Sequence, residues 1–220
     1  MRFFNQNRVC QKFIAMIFFF STSILYGASS ADSMIGDAPL ENVFKFDAGT
    51  RDVINLSVSE LEGYKTGDVY LDTMLTLALL RTETVYKWGG DDWRKGVDCS
   101  HFTMKVYQDA AQYYNSYLTT STLKNITNAN GLRKVAKEDM QPGDLLVYGY
   151  YDEDGKWHGH VVILVDQSFR ENGKKGLVVG SHGGIGVKFI SYTGFPEYYR
   201  SRNITLRNIL RVESPKNSYL

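Results

Sequence analysis

Apolar residues change their spacing once along this chain of 220 residues, and that change does most to limit what it can fold into. From Tyr70 to Tyr86 (YLDTMLTLALLRTETVY), Leu71, Met74, Leu75, Ala78 and Leu79 fall on one helical face, widened by Leu77 and Leu80. From Ser100 onward Phe102, Val106, Tyr107, Ala110, Ala111 and Tyr114 repeat the helical spacing. After the turn signal Pro142-Gly143-Asp144 the apolar residues come in short runs instead: Leu145 to Tyr148, His160 to Val165 (HVVILV), Gly176 to Gly180 and Val187 to Tyr192. A hairpin-type loop, Tyr151 to Lys156, separates the first two. Helices first and strands afterwards predict an α+β domain, its helices packed on an antiparallel sheet. Residues 115 to 140 read as a long polar loop with room for a helical turn. Residues 32 to 68, punctuated by Gly36, Pro39, Gly49, Gly63 and Gly67, read as a lead-in of unknown role with one short helix.

The N-terminus follows a different logic. Arg2, Arg8 and Lys12 precede an apolar run, Phe13 to Tyr26, which is closed by the small residues Gly27, Ala28, Ser29, Ser30 and Ala31. The run is shorter than the about 20 apolar residues of a spanning helix and is broken by Ser21, Thr22 and Ser23, so residues 1 to 31 are expected to be a secretory signal peptide. The expected product is an exported protein, periplasmic or at the cell wall, with no stable membrane insertion. Losing three cations takes the formal charge from +1 to −2, too little of either sign to bind a phosphate backbone or be drawn to an anionic polymer. Nucleic acid is therefore not an expected partner.

Of 2 cysteines, Cys10 leaves with the signal peptide and Cys99 enters an oxidising compartment alone. Such a thiol is either buried and inert or kept for its reactivity. Cys99 lies where the loop Lys87 to Val97 becomes a helix, and unpaired N–H groups with the helix dipole favour a thiolate there. A nucleophilic thiol needs a base. His160 opens the most β-branched run and His182 follows another, so on adjacent strands the two imidazoles are placed to hydrogen-bond. His158 shares the parity of His160, and His101 sits one turn into the helix, placed to bound a cleft.

Tyr86 to Phe102 (YKWGGDDWRKGVDCSHF), Gln141-Pro142-Gly143-Asp144 before Leu145, His160 to Val165, and His182 followed by Gly186-Val187 resemble, in order, the motifs of NlpC/P60 cell-wall cysteine peptidases. The resemblance runs from about Asp72 to Tyr192 and implies a circularly permuted papain-like fold, with a catalytic domain taken as residues 69 to 220. It implies that Cys99 attacks, that His160 is general base and then acid, and that His182 orients it. It also implies that Tyr86, Asp98 and Ser100 shape the site and the subsite for the substrate's acyl side, including recognition of a free amine. The substrate so implied is the peptide stem of peptidoglycan, cut at an amide bond through an acyl-enzyme, with no cofactor and no metal. Three departures stand out: His101 and Val162 replace expected glycines, and no glycine lies within Arg81 to Val85.

Other chemistries fit some of the same residues. The triad also suits an amidase or an acyltransferase, and His101 and Val162 in place of glycine suit a non-catalytic wall-binding protein. Cys99, His101, His158, His160 and His182 are candidate metal ligands, but their C-x-H and H-x-H spacings are not those of a closed zinc site. The tyrosines at 148, 150 and 151 read as strand packing.

Overall fold

The computed structural model describes residues 53–111, 117–167, 176–191 and 203–213, so the expected signal peptide and the lead-in before Val53 lie outside the described residues. Strand β1 (Val53–Ile54) is followed by helix α1 (Val58–Leu61), closed by a capping box in which Ser57 and Glu60 satisfy each other's backbone N–H groups. Helix α2 (Val69–Leu80) begins at Asp68, whose carboxylate accepts from the N–H groups of Tyr70 and Leu71. It buries Met74, Leu75 and Ala78, while Leu80 is 67% exposed.

Helical spacing predicts that α2 continues to Tyr86, but it stops at Leu80. The carbonyls beyond it are committed elsewhere: Thr82 accepts from Lys188 Nζ, Thr84 from the Val187 N–H and Val85 from the Val97 N–H. The chain has left the helix to serve a later hairpin. Strands β2 (Asp91–Asp92) and β3 (Gly96–Val97) then form a small ribbon, and helix α3 (Cys99–Ala111) starts at once.

Helix α4 (Thr120–Leu123) precedes a segment that differs from the expected loop. Strands β4 (Asn128–Ala129) and β5 (Leu132–Lys134) form a hairpin whose turn residues, Asn130 and Gly131, both have positive φ, at 55° and 70°. A two-residue turn with that signature is type I′, matched to the twist of its strands. The remaining strands are β6 (Leu145–Tyr151), β7 (Trp157–Asp166), β8 (Leu177–His182), β9 (Gly186–Ser191) and β10 (Thr205–Val212). All eight strands of the main sheet are antiparallel, in the order β1-β9-β8-β7-β6-β10-β5-β4.

Alternation divides the sheet's side chains between two cores. Val147, Val161, Ile163, Val179 and Phe189 face the helices, meeting Phe102 and Val106 of α3. Leu146, Tyr148, Val162, Leu164 and Val178 form a second cluster on the other face. The architecture is thus a mixed helix and antiparallel-sheet domain, and no helix among the described residues is long and apolar enough to cross a membrane.

Buried Asn208 of β10 fixes α4 to the sheet, its Nδ2 donating to the carbonyls of Leu123 (2.9 Å) and Ile126 (2.8 Å). Asn208→Ala leaves both acceptors buried without that donor, and a loss of about 3 kcal/mol is expected from urea denaturation midpoints. A loss within 0.5 kcal/mol, on the order of a neutral surface change, contradicts this account of the clamp.

Candidate active site

The turn before α3 is shaped by lack of space. A Cβ on Gly90 would lie 2.4 Å from the Gly96 carbonyl oxygen, and Gly89 has φ +64°. The paired glycines let Lys87-Trp88-Gly89-Gly90 fold back on β3, where the Gly90 carbonyl accepts from the Asp98 N–H. Asp98 then caps α3. Its Oδ1 accepts from the His101 N–H (2.8 Å) and the Ser100 hydroxyl (2.9 Å), and its Oδ2 from the Gly89 N–H (3.2 Å). Asp98 and Ser100 are both buried, so this carboxylate is first a structural group that joins the turn to the helix. Tyr86 lies alongside, half-buried, its backbone bridged to Val97.

Cys99 is the first residue of α3, and the main chain of Val161, Ser100 and Cys99 itself favours the thiolate of its buried side chain. Burial, and after it the charge of Asp98, outweigh this and push the thiol up to about 12. The paired stretch of β7 with β8 ends at Ile163↔Val179, and continuing its register would set Val161 against Ser181 and His160 against His182. Ser181, beyond that end, donates its hydroxyl to the Val97 carbonyl (2.7 Å), two residues before Cys99.

His160 and His182 meet as the register anticipates, with His160 Nε2 and His182 Nδ1 3.0 Å apart and ring centres 4.9 Å apart. Both are buried, at 2% and 0% exposure. Burial pushes His160 down to about 3. It also holds His182 well below the usual range, reinforced by the neighbouring His160 and opposed by the main-chain carbonyl of Lys188. The structure therefore brings His160 and His182 together, and sets Cys99 at the start of α3 with Asp98 and Ser100 on either side of it.

The other histidines go elsewhere. His158 binds the Asp152 carboxylate through Nε2 (2.7 Å) and leans on Tyr150. His101 stacks on Tyr117, ring centres 3.9 Å apart and planes 12° apart, with Nδ1 3.1 Å from Asp98 Oδ1. Tyr117 also sets its hydroxyl 3.3 Å from Ser100 Oγ, a contact that only the unusual His101 would have hinted at. Val162 fills space opposite a glycine, since a Cβ on Gly180 would lie 2.8 Å from Val162 Cγ1. No group of three or more metal-binding side chains gathers among the described residues.

A sequence model described as the NlpC/P60 family matches residues 83–196, more than half of the chain. A Haemophilus influenzae protein described as "Probable endopeptidase" is 28% identical over 116 residues, which cover 50% of this chain and 68% of that one. Among solved structures, an NLP/P60-family protein similar to lipoprotein from Staphylococcus aureus aligns with a TM-score of 0.47 at 19% identity, over 66% of this chain and 42% of its own. The chain thus spans less than half of that protein. The NlpC/p60 domain of the peptidoglycan hydrolase SagA aligns at 0.40 and 24% identity, over 57% of this chain and 92% of that domain.

The two depressed imidazoles make the fold acid-sensitive. Below about 6.5 the unfolded chain takes up protons that the folded chain refuses, so stability is full above that pH and falls as the pH drops toward 3. Each imidazole contributes a slope of up to about 1.4 kcal/mol per pH unit. Urea midpoints at pH 7 and pH 5 should fall farther apart for the natural chain than for the His160→Gln, His182→Gln double variant. Equal spacing would assign the acid sensitivity to other groups.

Proposed function

The chain belongs to the NlpC/P60 family, and from that membership and the site we propose an exported cysteine peptidase that hydrolyses an amide bond in peptidoglycan stem peptides. The observation that carries this reading is the buried His160–His182 pair, its ring nitrogens 3.0 Å apart, in a chain whose buried Cys99 opens a helix. The description of the Haemophilus protein as a probable endopeptidase supports the peptidase activity. The apolar run with its positive flank, residues 1 to 31, supports export.

The mechanism follows from proton positions. We assign the proton of the His160–His182 bond to His160 Nε2, with His182 Nδ1 as its acceptor. His160 Nδ1 then carries the lone pair, and it is the basic nitrogen we assign to the thiol. With the thiol pushed up to about 12 and His160 down to about 3, the resting pair is neutral and the proton stays on sulfur until attack. As Sγ bonds to the carbonyl carbon, the proton passes to His160. The oxyanion forms in front of α3, where the Cys99 N–H stabilises it. The C–N bond breaks as His160 returns the proton to the leaving amine. Water, deprotonated by His160, then cleaves the thioester and regenerates the thiol.

Mass spectrometry of peptidoglycan fragments after incubation with the natural chain should show new termini at one defined bond. None should appear with Cys99→Ala or after iodoacetamide treatment. His160→Ala should lower kcat by about 10²- to 10⁴-fold, the usual contribution of a general base. Intact peptidoglycan in every reaction would overturn the assignment of substrate.

A further inference from the structure

Beside the nucleophile, a buried charge reaches solvent through one side chain. Asp98 is 7% exposed and Ser100 4%, whereas Tyr117, between α3 and α4, is 43% exposed. Among the described residues no lysine or arginine pairs with Asp98. The direction of the hydrogen bonds follows from counting protons. A carboxylate only accepts, so the one hydroxyl proton of Ser100 goes to Asp98 Oδ1, 2.9 Å away. Ser100 Oγ then offers only lone pairs to the Tyr117 hydroxyl at 3.3 Å, and the phenol is the donor. The bonds run from Tyr117 through Ser100 to Asp98, and each polarises the next. What remains at the open end is the phenol oxygen, an acceptor made more negative by the proton it gives away.

His101 holds that oxygen in place. Its ring covers one face of Tyr117, centres 3.9 Å apart and planes 12° apart, and its own N–H is bound to Asp98 Oδ1 at 2.8 Å. The glycine expected at this position has no ring to stack, so the departure at His101 is what fixes Tyr117 against the start of α3. Burial raises the phenol above its usual range, opposed by the Ser100 bond and reinforced by the charges of Asp98 and of a Cys99 thiolate, so it stays protonated. The thiol and the phenol thus share one electrostatic neighbourhood.

Covalent geometry sets the reach between them. From the thiol along the Cys99 and Ser100 main chain, out to Ser100 Oγ and across its bond to the phenol, is about 12 Å at most, or about four residues of extended peptide. We propose that Tyr117 is a specificity-determining residue whose phenol oxygen accepts a hydrogen bond from a protonated amine carried by the substrate within that distance of the scissile bond. This rests on the reading of the chain as a peptidase. An ammonium gives the phenol oxygen a charged donor, meets the face of the ring turned away from His101, and lies in the field of a carboxylate that no lysine or arginine neutralises.

The test uses full-length Cys99→Ala protein, so that binding is measured apart from turnover. The probes are soluble peptide stems released from peptidoglycan, and the same stems with their amines acetylated. Calorimetry should show about tenfold weaker binding of the acetylated stems, the scale of one charge-assisted hydrogen bond. Added Tyr117→Phe, which keeps the ring on His101, should weaken the free stems by the same factor and leave the acetylated stems unchanged. In protein that retains Cys99 the same substitution should raise KM and leave kcat in place, because the amine is held alike before and during attack. Equal affinity for both probes, an equal loss on both with Tyr117→Phe, a fall in kcat at constant KM, or no binding would overturn the proposal. Cleavage of free stems by the natural chain is scored separately. Cleavage without amine dependence keeps the peptidase and removes the subsite, whereas binding that depends on the amine and on Tyr117, without cleavage, keeps the subsite and removes the peptidase.

Discussion

The whole arrangement depends on the Asp98 carboxylate, which accepts from the Gly89 and His101 N–H groups and the Ser100 hydroxyl and so fixes where α3, and Cys99 with it, begins. The chain just before that start is tied to the sheet where the pairing of β7 with β8 has ended, by the bond from the Ser181 hydroxyl to the Val97 carbonyl. Val161 lies among the helix-packed residues, whereas His160 shares its parity with Val162 and Leu164 of the other cluster.

Burial then decides how the pair rests. It raises the thiol and lowers the imidazole, so both are neutral before substrate arrives. Asp98 adds to the first effect while capping α3, a case where the stability of a helix start and the acidity of its first residue pull apart. The neutral form of the thiol has a further consequence: oxidation proceeds through the thiolate, so a thiol held protonated is spared.

The legible parts of the fold were those written in local periodicity. The helical start at Cys99, the strand at His160 and the pairing of His160 with His182 follow from spacing and strand adjacency alone. The end of α2 did not, because Thr82, Thr84 and Val85 leave the helix for partners more than ten residues away. Strand β10 was not anticipated: Arg207, Asn208 and Arg211 interrupt its apolar pattern, and each has a tertiary reason, a bulge, a clamp on α4 and a bond to buried Asp144. The β4–β5 hairpin was legible but read as loop, since Asn130-Gly131 is itself the turn signal. The contact of Tyr117 with Ser100 had no sequence trace beyond the odd His101.

The sheet also begins and ends in an informative way. Its outermost strands, Val53–Ile54 and Asn128–Ala129, are two residues each, while the ten-residue β7 and eight-residue β10 lie inside the order. A short margin offers few unpaired amides for another copy to extend. Among the described residues, copies of this chain brought close together therefore find little edge through which to knit their sheets into one another.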